Sequence, residues 1–338
     1  MTAMLEGTRQ VLECLRDSGN DSLSDDDLSA RLGISRAQAW KHVSSLREQG
    51  YVIEGKPGEG YSLLGSPDRL DPKKLASALE TRWLGRRIEY LEETDSTNRV
   101  AADLAREGAP HGTAVIAEAQ TAGRGRLGRS FFSPPNTNLY TSIVLRPDLD
   151  AASAPSILLA AGVAVAESVL EELGETTELE IKWPNDVLLG GLKTSGILME
   201  LDAEEDRVQH AILGIGVNLN VDRERFPDEF RQRATSLLSH SGRHIDRVSF
   251  TQRLYRILED VLDAHAAGGL ARLRPRFDRH FHMRGRRITV AEVRGDMIEG
   301  VAAGIGPNGA LEIDLPSGER RELLAGDVTI CKDDPPKE

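Results

Sequence analysis

Apolar positions in the first sixty residues recur at helical spacing. Leu5, Val11, Leu12 and Leu15 predict one helix. Ser24 followed by Asp25, Asp26 and Asp27 is a helix-start signal, a capping hydroxyl with acids that complement the helix dipole. Leu28 and Leu32 give this short helix an apolar side, and Gly33 ends it. Ser35 opens a further helix to Glu48, with Ala39, Val43 and Leu46 as its buried stripe, and Gly50 stops it. Tyr51 to Ile53 and Tyr61 to Leu63 flank Lys56-Pro57-Gly58-Glu59-Gly60 as a hairpin. Helix, short helix, tight turn, helix and hairpin predict a winged helix-turn-helix over residues 1–66.

The pattern then changes. Residues 67–283 alternate strand-like and helical runs: a helix over Asp71 to Trp83, a strand at Ile88 to Leu91, and a helix at Arg99–Arg106 capped by Thr94-Asp95-Ser96-Thr97-Asn98. Strands follow at Thr113 to Ala119 and Leu139 to Leu145, then an Ala-rich core helix from Ile157 to Leu173. Pro184-Asn185-Asp186 is turn chemistry inside a hairpin spanning Glu180 to Leu189. Ile197 to Leu201 and Ala211 to Val217 complete the strands. Residues 284–332 hold short strands at Arg286 to Val293, Ile298 to Ile305 and Ala310 to Leu315, with a last pair ending at Asp327 to Cys331. Turns at Arg294-Gly295-Asp296, Pro307-Asn308-Gly309 and Pro316-Ser317-Gly318 give the rhythm of a small barrel. The tail after Lys332 reads as disordered. The expected class is multidomain α+β.

Composition narrows the function. The chain has 338 residues and a formal net charge of -12, so any nucleic-acid contact needs a local basic face. No apolar run approaches the ~20 residues of a membrane span, and the N-terminus lacks the basic and apolar regions of a signal peptide. Cys14 and Cys331 form neither a disulfide framework nor a zinc site, which makes the cytoplasm the expected location.

Gln120 to Arg129, reading Gln-Thr-Ala-Gly-Arg-Gly-Arg-Leu-Gly-Arg, alternates flexible glycine with guanidinium forks that suit carboxylates and phosphates. A loop that gathers Arg124, Arg126 and Arg129 would repel itself until an anion orders it. Lys182 would stand at the end of a buried strand, where a lysine needs an anionic partner, unless it is an ordinary surface lysine with its stem on apolar ground. Gly190-Gly191-Leu192-Lys193-Thr194-Ser195-Gly196 lacks the glycines of a phosphate loop. Gly214 and Gly216 allow close approach to a ligand that Asn218 could bond, without the spacing of a dinucleotide fingerprint. On the third helix of the winged helix, Ser35, Arg36, Gln38, Lys41, His42, Ser44, Ser45 and Arg47 are types that bond phosphates and base edges. Trp40 beside the buried stripe reads either way, inward or toward a duplex.

The order Ser96-Thr97-Asn98, Gln120, Gly123 to Arg129, Lys182-Trp183-Pro184-Asn185-Asp186, Lys193 before Gly196-Ile197-Leu198, and Gly214-Ile215-Gly216-Val217-Asn218 resembles the biotin protein ligases. With the winged helix in front, it is similar to their bifunctional bacterial form, ligase and biotin-operon repressor in one chain. The resemblance implies a central α/β catalytic domain on a mixed sheet and an SH3-like C-terminal barrel. It implies activation of biotin by ATP and Mg²⁺ to biotinyl-5′-AMP, then transfer to a lysine of a biotin carboxyl carrier protein, with the adenylate as corepressor of a homodimer on operator DNA. Ser96, Thr97, Asn98 and Gln120 match positions lining the biotin pocket, and Arg124, Gly125 and Arg126 the loop closing over it. Lys182 matches a lysine at the carboxylate and α-phosphate, with Lys193 a second at that junction; Arg126, Lys182 and Lys193 are the implied catalytic set. Arg126, Arg129, Asn185, Lys193 and Asn218 fall on the nucleotide side, and Asp186 near the metal. Phe131-Phe132 stands where a tryptophan-containing pair is more usual, and Ser130 where a basic residue often follows the loop. A lipoate or octanoate transferase of the same fold, a biotin-sensing repressor without ligase activity, and a DNA-binding oxidoreductase are the alternatives.

Overall fold

In the computed structural model the residues described are 6–19, 21–48, 51–56, 60–65, 68–205, 207–292 and 295–330. Leu5, Gly50, the Pro57-Gly58-Glu59 turn, the 66/67 boundary, Val293-Arg294, Cys331 and the tail beyond Lys332 lie outside them. The chain divides into two compact units, 1–69 and 70–338.

The first unit is a three-helix winged helix: α1 (Glu6–Asp17), α2 (Asp25–Leu32) and α3 (Arg36–Glu48), then β1 (Val52–Lys56) antiparallel to β2 (Gly60–Gly65). The expected cap of α2 is present in both directions. Ser24 Oγ accepts from the Asp27 amide while Asp27 accepts from the Ser24 amide, and Gly33 closes the helix in the left-handed region. Val11, Leu12, Leu15, Leu28, Ala39, Val43 and Leu46 are all buried in one cluster.

In the second unit, α4 (Pro72–Ser77) leads to β3 (Ile88–Thr94), α5 (Thr97–Arg106), β4 (Ala114–Gln120), β5 (Leu139–Leu145) and α6 (Pro155–Leu173). Then come β6 (Leu179–Lys182), β7 (Asp186–Leu189), β8 (Leu192–Glu204), β9 (Arg207–Val217), α7 (Asp228–Arg231), α8 (Leu237–Ser241) and α9 (Arg247–Asp278). The strands make one seven-stranded mixed sheet in the order β3-β4-β5-β9-β8-β7-β6, with β3 and β4 parallel and the other pairs antiparallel. β10 (Arg287–Ala291), β11 (Met297–Ile305), β12 (Leu311–Asp314), β13 (Arg320–Leu323) and β14 (Asp327–Ile330) form a five-stranded antiparallel sheet ordered β13-β12-β11-β10-β14. Its inward residues Ile288, Val290, Ile305 and Ile313 share one hydrophobic cluster with the larger sheet, α6 and α9.

Two expectations are corrected. The helix foreseen over 71–83 stops after Ser77. The amides of Arg82, Trp83 and Leu84 turn instead onto the carboxylate of Glu259, at 2.7–2.9 Å, a partner too distant in sequence to foresee. Residues 151–173 are long and apolar enough to cross a membrane, contrary to the composition reading. In the fold most of this segment is buried, and α6 packs chiefly on α9.

The core also contains charge. Arg247, fully buried at the start of α9, donates to Glu118 Oε2 at 2.6 Å and to the Asn138 carbonyl at 3.1 Å. Glu118 Oε1 accepts from the Leu70 amide at 2.7 Å and from the Tyr90 hydroxyl at 3.1 Å. Buried ions are tolerated only when paired and bonded this fully. Glu118→Gln or Arg247→Met should each strand one partner and lower the stability of the full chain by about 3–5 kcal/mol. Urea unfolding measures this, and an unchanged midpoint would show that the pair contributes nothing.

Candidate functional site

A polar pocket opens where α5 begins and β4, β5, β8 and β9 run together. Its walls carry Ser96, Thr97, Asn98, Gln120 and Arg124, with Phe131, Tyr140, Leu198 and the glycines 196, 214 and 216 completing it. Of the expected pocket residues, those five are brought together; Gly125, Arg126 and Lys182 do not line this cavity. Its volume is about 30 Å³.

Local chemistry explains the placement. Ser96 precedes α5 without a side-chain cap; Asp95 takes the Ser96 amide at 2.7 Å instead and holds Arg99. The Arg99 hydrogen bond holds the Asp95 carboxyl down to about 2, assisted by that amide. Freed from capping, the polar side chains turn inward. Thr97 donates through its amide and hydroxyl to Gln120 Oε1 at 2.9 and 3.1 Å. Gln120 Nε2 donates to Ser133 Oγ at 3.0 Å. Ser142 Oγ lies 2.8 Å from Thr97 Oγ1 and 2.6 Å from Asn98 Oδ1.

The glycines of β9 make room for the protein's own groups. A Cβ on residue 214 would stand 2.1 Å from Asn98 Oδ1, and one on residue 216 would stand 2.6 Å from the Phe131 ring. Close approach was expected of these glycines; what approaches here is Asn98 and Phe131.

The glycine-arginine segment forms a narrow hairpin-like loop. Phe131 donates its amide to the Gly123 carbonyl at 2.8 Å and Gly125 donates to the Arg129 carbonyl at 2.7 Å. Gly123 is required by this closure, because a Cβ there would lie 2.6 Å from both the Phe131 carbonyl and Ser133 Oγ. The three arginines turn to separate partners. Arg124 faces Glu200 at 3.5 Å, Arg126 donates to Asn185 Oδ1 and the Gly326 carbonyl, and Arg129 pairs with Asp327. Each cation finds an internal acceptor, and this relieves the repulsion between them. Burial pushes the Arg126 guanidinium below its ordinary value, against the pull of Asp327 and Asp186.

Beside the pocket sit the remaining candidates. A bulge in β8 leaves Thr194 unpaired across from β7, so Lys193 pairs with Leu188 and turns to the face of Asp186. Lys193 Nζ lies 2.6 Å from Asp186 Oδ1, an attraction of charges without an aligned hydrogen bond to that buried oxygen. The lysine tip also flanks Gly196, whose other neighbour is Phe131. Lys193 therefore stands at the border between the pocket and Asn185-Asp186. Lys182 ends β6, half-buried, and its side chain makes no hydrogen bond or ion pair among the described residues. Asn218 is buried, donating to the Thr235 carbonyl and accepting from Asn138, so its amide is engaged within the fold.

In the winged helix, several expected contact residues have internal tasks. Gln38 closes a capping box with Ser35, Arg36 holds Asp26 at 2.5–2.6 Å, and the His42 ring packs on Gly7 with Nδ1 2.9 Å from Thr8 Oγ1. Arg47 donates to the Ile53 carbonyl and lies over the Tyr61 ring. Lys41 remains exposed, and Trp40 faces outward at 57% exposure, which answers its open reading. Sequence reasoning missed Glu200, Tyr140 and the wall role of Phe131. A lone acid inside the apolar run Ile197 to Leu201 was the available signal for the first.

Residues 90–218 match the Biotin/lipoate A/B protein ligase family, residues 8–62 an HTH domain, and residues 285–330 the Biotin protein ligase C terminal domain. The bifunctional ligase/repressor BirA of Bacillus subtilis is 35% identical over 322 residues, covering 95% of this chain and 98% of that protein. That of Escherichia coli is 32% identical over 308 residues, covering 91% and 92%. Among solved structures, the biotin protein ligase of Aquifex aeolicus in complex with biotin and ATP superposes with a TM-score of 0.61 at 28% identity, covering 73% of this chain and 99% of that one.

Gly214→Ala tests the packing of the pocket floor. Its methyl collides with the carboxamide of Asn98, so the full chain should lose about 1–3 kcal/mol of stability, the usual cost of overpacking. Thermal unfolding of the full chain would read this, and wild-type stability would mean that Asn98 is free to move away.

Proposed function

This chain belongs to the biotin protein ligase family, within its bifunctional ligase/repressor branch, and from that premise we propose an ATP-dependent biotin ligase that also binds operator DNA. The observation that carries the reading is one polar pocket, lined by Ser96, Thr97, Asn98 and Gln120, bordered at Gly196 by Lys193 and then by Asp186.

The chemistry joins two anions, so charge neutralisation and positioning are the main task. Hydroxyl and amide groups of the pocket take the neutral head of biotin by hydrogen bonds. Its carboxylate points toward Lys193 and Lys182, the latter a half-buried cation left unpaired among the described residues. Arg126, held between Asn185 and Gly326, borders the nucleotide side with Arg129, and Asn218 supports that side from within. The carboxylate oxygen attacks the α-phosphorus of ATP and pyrophosphate leaves. Asp186 is the carboxylate that would hold Mg²⁺ on exchanging its contact with Lys193 at Oδ1, and one carboxylate suits an ion held mainly by phosphates. Magnesium would there offset phosphate charge. The mixed anhydride biotinyl-5′-AMP then acylates the amine of a carrier lysine, and AMP leaves. The Gly123 to Arg129 loop keeps water from the anhydride.

The catalytic body is assigned to 67–283, the C-terminal domain to 284–332 and the DNA reader to 1–66, in the cytoplasm. Lys41 and Trp40 offer charge and an apolar face to a duplex; the exposed Arg36–Asp26 pair is of a kind worth little, so a phosphate can displace it. Two winged helices in a homodimer would span a two-fold operator, with adenylate favouring assembly.

Mass spectrometry of an apo-carrier domain after incubation with this protein, biotin and MgATP should show one added biotinyl group; lipoyl addition from lipoate instead would favour the transferase reading. Lys193→Ala and Arg126→Gly should each slow pyrophosphate release by about a hundredfold or more while leaving the fold intact. Wild-type rates in both would remove them from the mechanism. For DNA, biotin plus ATP should tighten gel-shift binding of the operator, and Trp40, more exposed than buried Trp183, should report binding as a fluorescence change lost in Trp40→Phe.

A further inference from the structure

Glu200 lies on β8 outside every motif that suggested the function, yet it touches both halves of the site. Its Oε2 accepts from Asn98 Nδ2 at 2.8 Å, and its Oε1 stands 3.5 Å from Arg124 Nη1. Asn98 belongs to the pocket floor. Arg124 belongs to the loop. Asn98 is fixed on its other side, with Oδ1 2.6 Å from Ser142 Oγ, and Ser142 continues to Thr97 and thence to Gln120. Gln120 reaches Ser133, whose hydroxyl donates to the Phe131 carbonyl where the loop ends. The two legs of the loop therefore register on one hydrogen-bonded chain, through Gln120 at one end and Glu200 at the other.

We propose that Glu200 is a positioning residue of the ligase, one carboxylate that sets the pocket amide and the loop arginine in register so that the loop closes correctly over a bound acyl-adenylate. This rests on the biotin ligase reading. Glu200 does not touch the reacting atoms. A carboxylate is needed because it alone among side chains of this size accepts on both oxygens, one from a neutral amide and one from a guanidinium. Residue 200 also pairs with Ile212 across to β9, so the anchor is fixed to the sheet rather than to another loop.

Glu200→Gln separates the two contacts. Its amide oxygen can still accept from Asn98, while its nitrogen offers Arg124 no acceptor. The pair is partly exposed, which limits the effect: release of preformed biotinyl-adenylate should accelerate about fivefold, and the KM for biotin should rise more than kcat falls. Trypsin should cut at Arg124 to Arg129 in the ligand-bound variant as readily as in ligand-free wild type. Arg124→Gln, a change on an exposed loop, should give the same acceleration, and the double variant should be no worse than either alone. Glu200→Asp should recover part of the retention. If wild type forms no adenylate, the ligase reading fails and this role with it. If wild type forms adenylate and Glu200→Gln retains it equally, or the two substitutions add in full, Glu200 has no such role.

Discussion

The buried pairing of Glu118 with Arg247 is the constraint on which the site depends. It draws together β4, the tyrosine of β3, the amide of Leu70, the turn at Asn138 and the first residue of α9. Asn138 passes the fixation on, accepting from the Leu219 amide and donating to Asn218 at the end of β9. The pocket therefore lies between strand ends that are fixed from beneath. Gln120, two residues beyond Glu118 on the same strand, inherits that rigidity. A site that must hold two reactants within near-contact distance needs a base of this kind.

Above that base the arrangement is electrostatic and less rigid. Every loop arginine is matched to an oxygen of the protein: Glu200, Asn185 with Gly326, and Asp327. Lys193 is matched to Asp186. Three of these acceptors, Glu200, Asp327 and Asp186, are carboxylates and carry the sign of charge that phosphates carry; the two that hold Arg126 are neutral carbonyl oxygens. An incoming anion thus exchanges partners with cations already in place, rather than gathering cations that repel one another.

Much of this was legible in the sequence because local signals carried it. Ser24 with Asp27, Gly33, the 39-43-46 stripe and the β-branched and aromatic content of Leu139 to Leu145 each encode structure within a few residues. The pocket residues were legible through the order of short motifs. What escaped were effects of long sequence separation. The end of α4 depends on Glu259, some 175 residues away, and the divergence of Arg124, Arg126 and Arg129 depends on acceptors from β8, the β6–β7 turn and the approach to β14. One miss was avoidable: Ser35-x-x-Gln38 has the spacing of a capping box, and that spacing already assigned Gln38 to the helix end.

The Phe131 ring rests against Gly216 beside Tyr140, and all three line the pocket. The backbone amide of the same residue is tied to the Gly123 carbonyl, so the aromatic wall and the glycine-rich segment are one piece of chain. A displacement of either carries the other with it.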